Sequence, residues 1–234
     1  MESPIDVLAR TAGGLLSSGA VALGATRDRT KPLHPDGQLR RATITRMGGG
    51  ARSGVPWLDE PGRDEALVRL SRGVGLPGPL PDVQGLAIRI DHAGGPADVL
   101  LASTGLGRLT RFVLTPTWKP TGRPLTSLLP YRSPRGPLLL AAVPGSMPSY
   151  DLRWAGPVGP WVSFGTLELG EPLGDDTRLS FDPVLNVVPG LAHYGWVTRL
   201  REPAYWAARR RTHRSASTAA SASGGAPAHP RGHA

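Results

Sequence analysis

Glycine and proline interrupt this chain too often for long helices to run through its middle. Its 234 residues include 31 Gly and 25 Pro, about a quarter of the total, and most of them fall between short apolar runs. Proline lacks the amide proton that a helix interior needs, and glycine costs it backbone entropy. The runs therefore read as strands joined by turns.

Taken in order, Gln38 to Met47 alternates apolar and basic residues and reads as a strand with one wet side. Residues 48–62 read as a loop, and Glu65 to Leu70 as a short helix or strand leading into Arg69-Leu70-Ser71. Gly85 to Ile90 and Asp98 to Ala102 form a hairpin that turns at His92–Gly95. Residues 105–134 are irregular, with a helix expected near Leu125–Leu129. Leu138–Val143, Tyr150–Ala155 and Trp161–Leu169 are three further strands. Thr177–Phe181 is extended, and a loop follows over 182–190. At the front, Ser3 as N-cap, Pro4 as first helical residue and the spacing of Ile5, Leu8, Ala12, Leu15 and Leu16 predict a helix over 4–25. Tyr194 to Arg211 is a last helix, interrupted or started at Pro203. The fold class is α+β: an antiparallel β-barrel core with flanking helices at both ends. The domains are an N-terminal helix over 1–30, a barrel domain over 31–211 and a disordered basic tail over 212–234.

Net charge is +9, but Arg209, Arg210, Arg211, Arg214 and Arg231 lie in a tail with no acid, which leaves +4 on the remainder. Trp206 is the one aromatic beside these cations, so the stacking surface for a single strand is missing and no nucleic acid is expected. There are no cysteines, which excludes disulfides, thiolate haem ligation, iron–sulfur clusters and cysteine nucleophiles. The uncharged run from Thr11 to Thr26 is too short to span a bilayer, and Glu2 and Asp6 spoil the start of a signal peptide. A cytoplasmic protein is expected, with weak membrane-surface contact through residues 4–25.

Gly73-Val-Gly75-Leu-Pro-Gly78 matches a dinucleotide fingerprint in letters alone. That fingerprint needs a helix after it, which Pro77, Pro79 and Pro81 forbid. A hydrolase triad lacks its G-x-S-x-G elbow. The histidines His34, His92 and His193 are isolated from one another and make no metal-ligand cluster. Three smaller features carry chemistry. His34 stands between Pro32 and Pro35 just before a strand. Arg69 and Ser71 share one face of a strand. Arg201 and Tyr205 lie one helical turn apart, and a phenol beside a guanidinium can ionise and ligate haem iron.

In order and spacing these features resemble the haem-dependent catalase superfamily, in pieces over residues 31–208. Lys31-Pro-Leu-His34-Pro-Asp-Gly37 is similar to the family's Arg-x-x-His-x-x-Gly, and Arg69-Leu70-Ser71 to its Arg-Phe-Ser. Asp82-Val-Gln-Gly85-Leu-Ala-Ile-Arg89 resembles Asp-Pro-Arg-Gly-Phe-Ala-Val-Lys. Asp98-Val-Leu-Leu-Ala-Ser103-Thr104 resembles Asp-Leu-Val-Gly-Asn-Asn-Thr. Phe181-Asp-Pro183, Pro189-Gly190-Leu191 and Arg201-Glu-Pro-Ala-Tyr205 match Phe-Asn-Pro, Pro-Gly-Ile and Arg-x-x-x-Tyr.

The resemblance implies a short relative that binds haem b and acts on hydrogen peroxide or organic hydroperoxides, as a monomer or homodimer. Tyr205 would be the proximal iron ligand, with Arg201 stabilising its phenolate. His34 would be the distal acid and base, oriented by Ser71. Lys31 and Arg69 would stand at the haem propionates. Ser103 would replace the family's distal Asn. Lys31 in place of arginine loses the bidentate fork, and Thr212 stands where the family has another Arg. A barrel that binds haem or lipid without turnover is the alternative.

Overall fold

The computed structural model describes residues 37–48, 50–73, 79–119, 121–146, 148–174 and 179–199. Eight antiparallel strands close into a barrel: β1 (Gly37–Met47), β2 (Pro61–Arg72), β3 (Gln84–His92), β4 (Gly95–Ser103), β5 (Leu125–Thr126), β7 (Gly136–Pro144), β8 (Ser149–Ala155) and β9 (Val162–Gly174). Each pairs with the next in that order, and β9 returns to β1. β6 (Tyr131–Ser133) and β10 (Ala192–His193) extend the sheet beside the start of β7.

Alternation decides what fills the barrel. Ala66 and Val68 on β2, Leu86, Ile88 and Ile90 on β3, and Ala97, Val99 and Leu101 on β4 all point inward and join one apolar cluster. Leu140, Ala142, Tyr150, Leu152, Phe164 and Leu167 complete it from the far side. Eight strands leave an interior that side chains can fill. Burial pushes the Tyr150 phenol up to about 12.

Closure depends on bends in β9. Its register slips once against β8, between Leu152 and Arg153, and twice against β1, between Leu39 and Ala42. Extra residues in one strand bend it and increase its twist. Gly165 lies at the first bend, where a Cβ would come within 2.6 Å of the Thr45 carbonyl. Pro172 sits at the far end, where a strand tolerates the loss of an amide.

The β3–β4 hairpin forms as the sequence predicts, with His92 opposite Gly95 across a two-residue turn and Gly95 at φ 111°. Two expectations are corrected. Leu125 and Thr126 do not begin a helix. They pair with Ser103 and Ala102 on one side and with Ala142 and Ala141 on the other, and Leu128 at φ 59° breaks any continuation. The segment around Glu65 is not a short piece but the middle of the 12-residue β2. The α+β label gives way to a mostly β description. Helix among the described residues is limited to α1 (Pro56–Asp59), a 3-10 turn at Thr110–Phe112 and the turn 195–199. No helix among them is long and apolar enough to cross a membrane. The expected helix over 4–25 and the tail lie outside the described residues, as do residues 200–211 of the last helix. A strand, not a helix, follows residues 73–78, so no dinucleotide fold is built there.

α1 is held by Asp59, whose carboxylate accepts hydrogen bonds from the Ser53 amide and hydroxyl and from the Gly54 amide, each at 2.8 Å. Burial raises this carboxyl's pKa, but those bonds and the charge of Arg52 outweigh it and hold the pKa below the usual value.

The last described segment wraps back over the outside of the barrel, and Asp98 anchors it. Asp98 faces outward on β4 yet is buried. Arg89 of β3 donates to both its oxygens, at 2.7 and 2.6 Å. The Asp182 amide at 2.7 Å and the Asn186 side chain at 2.8 Å complete its shell. Arg89 also donates to the Ser180 carbonyl and lies over the Phe181 ring. Val188 and Leu191 then pack with Val55 and Leu58, and β10 pairs with β6.

Two measurements check this account. Gly165→Ala lowers unfolding stability by about 1–3 kcal/mol, because the methyl meets backbone on the neighbouring strand; denaturant titration reads it. Asp98→Ala removes the buried partner of the half-buried Arg89 and of the strap, and costs about 3 kcal/mol. Hydrogen exchange then speeds up first over 180–199, before the barrel strands; uniform acceleration would contradict the anchor.

Candidate functional site

The outer face of β1–β4 carries the residues that the sequence motifs single out. Opposed residues on neighbouring strands share a face, so the register defines rows across the sheet. One row is Gly37, Ser71, Gly85 and Ala102. The next, two residues down each strand, is Leu39, Arg69, Ala87 and Leu100. The row below contains Arg89 and Asp98, the pair that anchors the wrapping segment. Four strands at about 4.8 Å spacing make this a platform roughly 14 Å wide.

The upper two rows are made of small or aliphatic residues, apart from one hydroxyl and one guanidinium. Gly37 is small for a physical reason. The Arg69 guanidinium lies across it, and a Cβ there would collide with the Arg69 Nε and Cζ. Arg69 therefore lies flat along the sheet. The Ser71 hydroxyl makes no hydrogen bond among the described residues. The predicted pair Arg69 and Ser71 is thus together on one face, with Gly85 of the third motif beside it.

Ser103 does not join them. It follows Val99 and Leu101 on the inward side of β4 and is fully buried. Its hydroxyl accepts from the Gln84 amide at 3.0 Å and donates to the Thr115 carbonyl at 2.7 Å. It ties the loop after β4 to the start of β3, and its one proton is committed to Thr115. The residue that faces Ser71 and Gly85 at this level is Ala102. Strand parity thus puts Ser103 on the opposite side of the sheet from Arg69 and Ser71: a shift of one residue moves a side chain to the other side.

His34, Lys31, Arg201 and Tyr205 lie outside the described residues. The chain enters β1 at Gly37, in the upper row, so His34 is three residues from the platform in sequence. At the other end, residues 195–199 form a helical turn with Val197 fully buried. His193, just before it, donates its Nε2–H to the Pro183 carbonyl at 2.6 Å, and its ring lies 5.1 Å from that of Tyr131. Among the described residues, no group of three His, Cys, Asp or Glu is placed to hold a metal ion.

Sequence reasoning missed Ala102 and the Arg89–Asp98 anchor. Parity counted from Val99 identifies the first. The second is visible in sequence only as two charges on paired strands, because its partners Asp182 and Asn186 are more than 80 residues away.

No protein-family model and no curated protein matches this sequence. Solved structures do. A fungal catalase aligns at 12% identity with a TM-score of 0.53, covering 77% of this chain and 58% of its own. A bacterial catalase aligns at 10% identity with a TM-score of 0.49, covering 80% and 60%. The chain therefore spans less than two thirds of the length of either. At such identity the likeness is one of fold, and the fold is a catalase-like β-barrel.

Proposed function

We propose that the outer face of β1–β4 holds haem b, and that the protein is a haem-binding oxidoreductase acting on hydrogen peroxide or organic hydroperoxides. The observation that carries this reading is the platform. It is built of small residues, Gly37, Gly85, Ala87 and Ala102, and carries a guanidinium and a hydroxyl. The residues present suit a planar, apolar ring with acidic substituents. Arg69, with Lys31, would pair with the propionates, and small residues let the ring approach the sheet. Tyr205 would ligate the iron, and the cation of Arg201, four residues before it in sequence, would favour its phenolate. Haem, when bound, supplies the two-electron redox capacity that this cysteine-free chain lacks.

The chain's own residues manage the proton. His34 accepts the hydroperoxide O–H proton at its imidazole and returns it to the departing oxygen, which leaves as water or an alcohol. Ser71 would orient the imidazole through its hydroxyl. The O–O bond breaks as the peroxide is reduced, and a second peroxide or an organic donor is oxidised in turn.

A second reading has its own support. With Ser103 turned inward and Ala102 on the platform, Ser71 is the sole polar side chain of the upper row. Nothing in that row polarises a bound peroxide. A barrel that holds haem without turnover is consistent with this.

Absorption spectroscopy separates the readings. Added haemin gives a one-to-one high-spin ferric spectrum with tyrosinate character that is lost in Tyr205→Phe. Arg69→Ala weakens binding about tenfold or more, the worth of one charge-assisted bond. A protein with no Soret band refutes haem binding altogether. Peroxide consumption that disappears in His34→Ala identifies the enzyme.

The distal side gives a further prediction. Ala102→Asn puts an amide donor beside Ser71 and raises hydrogen peroxide consumption by an order of magnitude or more, followed by oxygen release. Ser103→Asn, aimed at the barrel interior, gives no such gain and lowers stability instead.

A further inference from the structure

We propose that the connection between β4 and β5, residues 104–124, with Leu80 beside it, docks onto an anionic lipid surface. Between Asp98 and Asp151 the chain has no acidic residue, yet the β4–β5 connection carries Arg108, Arg111, Lys119 and Arg123. All but Arg111 are exposed. The same connection exposes Leu109 at 80%, Trp118 at 72% and Val113 at 48%, and Leu80 is also 48% exposed. These are half of the large apolar side chains exposed among the described residues. The nearest acid, Asp82, is buried and lies 3.6 Å from Arg72, so it does not offset the positive face.

The loop is held rigid from beneath. The buried Arg111 guanidinium donates to the carbonyls of Leu106, Gly107 and Gly156 at 3.2, 3.1 and 2.9 Å and stacks on Trp161. Further along, Thr117 pairs with Asp82 through two backbone bonds. Trp118 donates its indole N–H to the Pro79 carbonyl, 3.3 Å away. The exposed side chains are therefore presented by an ordered frame, and little conformational entropy is lost on docking.

Apolar side chains flanked by cations, without anions, match the boundary of an anionic bilayer. Aliphatic groups enter the acyl region, an indole sits at headgroup depth and the cations meet phosphates. A nucleic acid fits less well, since Trp118 is the one exposed aromatic of the loop and three aliphatic residues have no role there. A second copy of the chain would bring like charges together. This surface is distinct from the 4–25 segment, and its observations do not depend on haem.

Flotation of the full-length protein with phosphatidylcholine vesicles, with and without about a third phosphatidylglycerol, tests it. The wild-type protein floats with the anionic vesicles. Replacing Lys119→Gln and Arg123→Gln together lowers partitioning about thirtyfold. Leu109→Ser with Trp118→Ala lowers it by a similar factor. Unchanged thermal melting shows that these exposed substitutions leave the fold intact. Because residues 4–25 and the tail are untouched, variants that float like wild type assign membrane contact elsewhere and overturn the proposal. So does a wild-type protein that ignores anionic vesicles. A dimer dissolved by Trp118→Ala, or retention on single-stranded RNA in place of vesicles, likewise overturns it.

Discussion

A carboxylate sealed between a sheet and the strap that crosses it is the point on which this architecture turns. Asp98 lies on the outer face of a β-barrel, where water would ordinarily solvate it, yet it is 1% exposed. A charge so placed is tolerated when it is paired and every lone pair is used. Arg89 provides the charge. The Asp182 amide and the Asn186 side chain provide the rest. Asp182 in turn accepts from the amides of Val184 and Leu185, which fixes the turn that follows. The anchor thereby settles where a loop of weak intrinsic preference must run. It also sets the direction in which the chain leaves toward the helical turn at 195–199.

The strap covers the lower part of the outer face, and the upper rows are half-buried, with Leu39 5% exposed. The same four strands thus serve two environments at once. Inward residues such as Val68, Ile88 and Val99 fill the barrel. Their outward neighbours are small at the top and charged at the level of the anchor. Parity separates the two sets completely, which makes Ser103 and Ala102 so different in spite of being adjacent. One is a structural tie between β3 and the loop after β4. The other faces outward, level with Ser71 and Gly85.

The strands were legible because glycine and proline mark their ends and alternation marks their faces. The hairpin over Gln84–Ser103 needed nothing beyond local signals. Leu125–Leu129 was not legible. Its apolar spacing suits a helical turn, and two residues of β5 are specified by partners on β4 and β7 that no local window contains. The strap was visible as a loop, not as a lid on the sheet, since its holding contacts span more than 80 residues. For the platform, the motif order brought Arg69, Ser71 and Gly85 together correctly. It grouped Ser103 with them although Ser103 points to the other side of β4, because matching motifs by letter ignores which way a side chain points. Counting from Leu101 would have placed Ala102 outward without any structure.

An identity of 12% with a catalase of the same fold is less surprising when the constraints are written out. Barrel closure asks for alternation, two-residue turns and bends such as those of β9, and many sequences satisfy all three. Chemistry asks for particular atoms, and there the tolerance ends. Fold likeness therefore bears on the platform and leaves its use to a few side chains. Position adds one more consideration. The row of Ser71, Gly85 and Ala102 lies at the end of the barrel from which the β2–β3 and β4–β5 connections leave, the connections that carry Leu80, Leu109, Val113 and Trp118. A bilayer held by those residues would bring apolar molecules to the edge of the sheet face that carries the Ala102 methyl group. The cationic, apolar mouth and the apolar row would then favour the same ligands. A small polar peroxide would gain little from either.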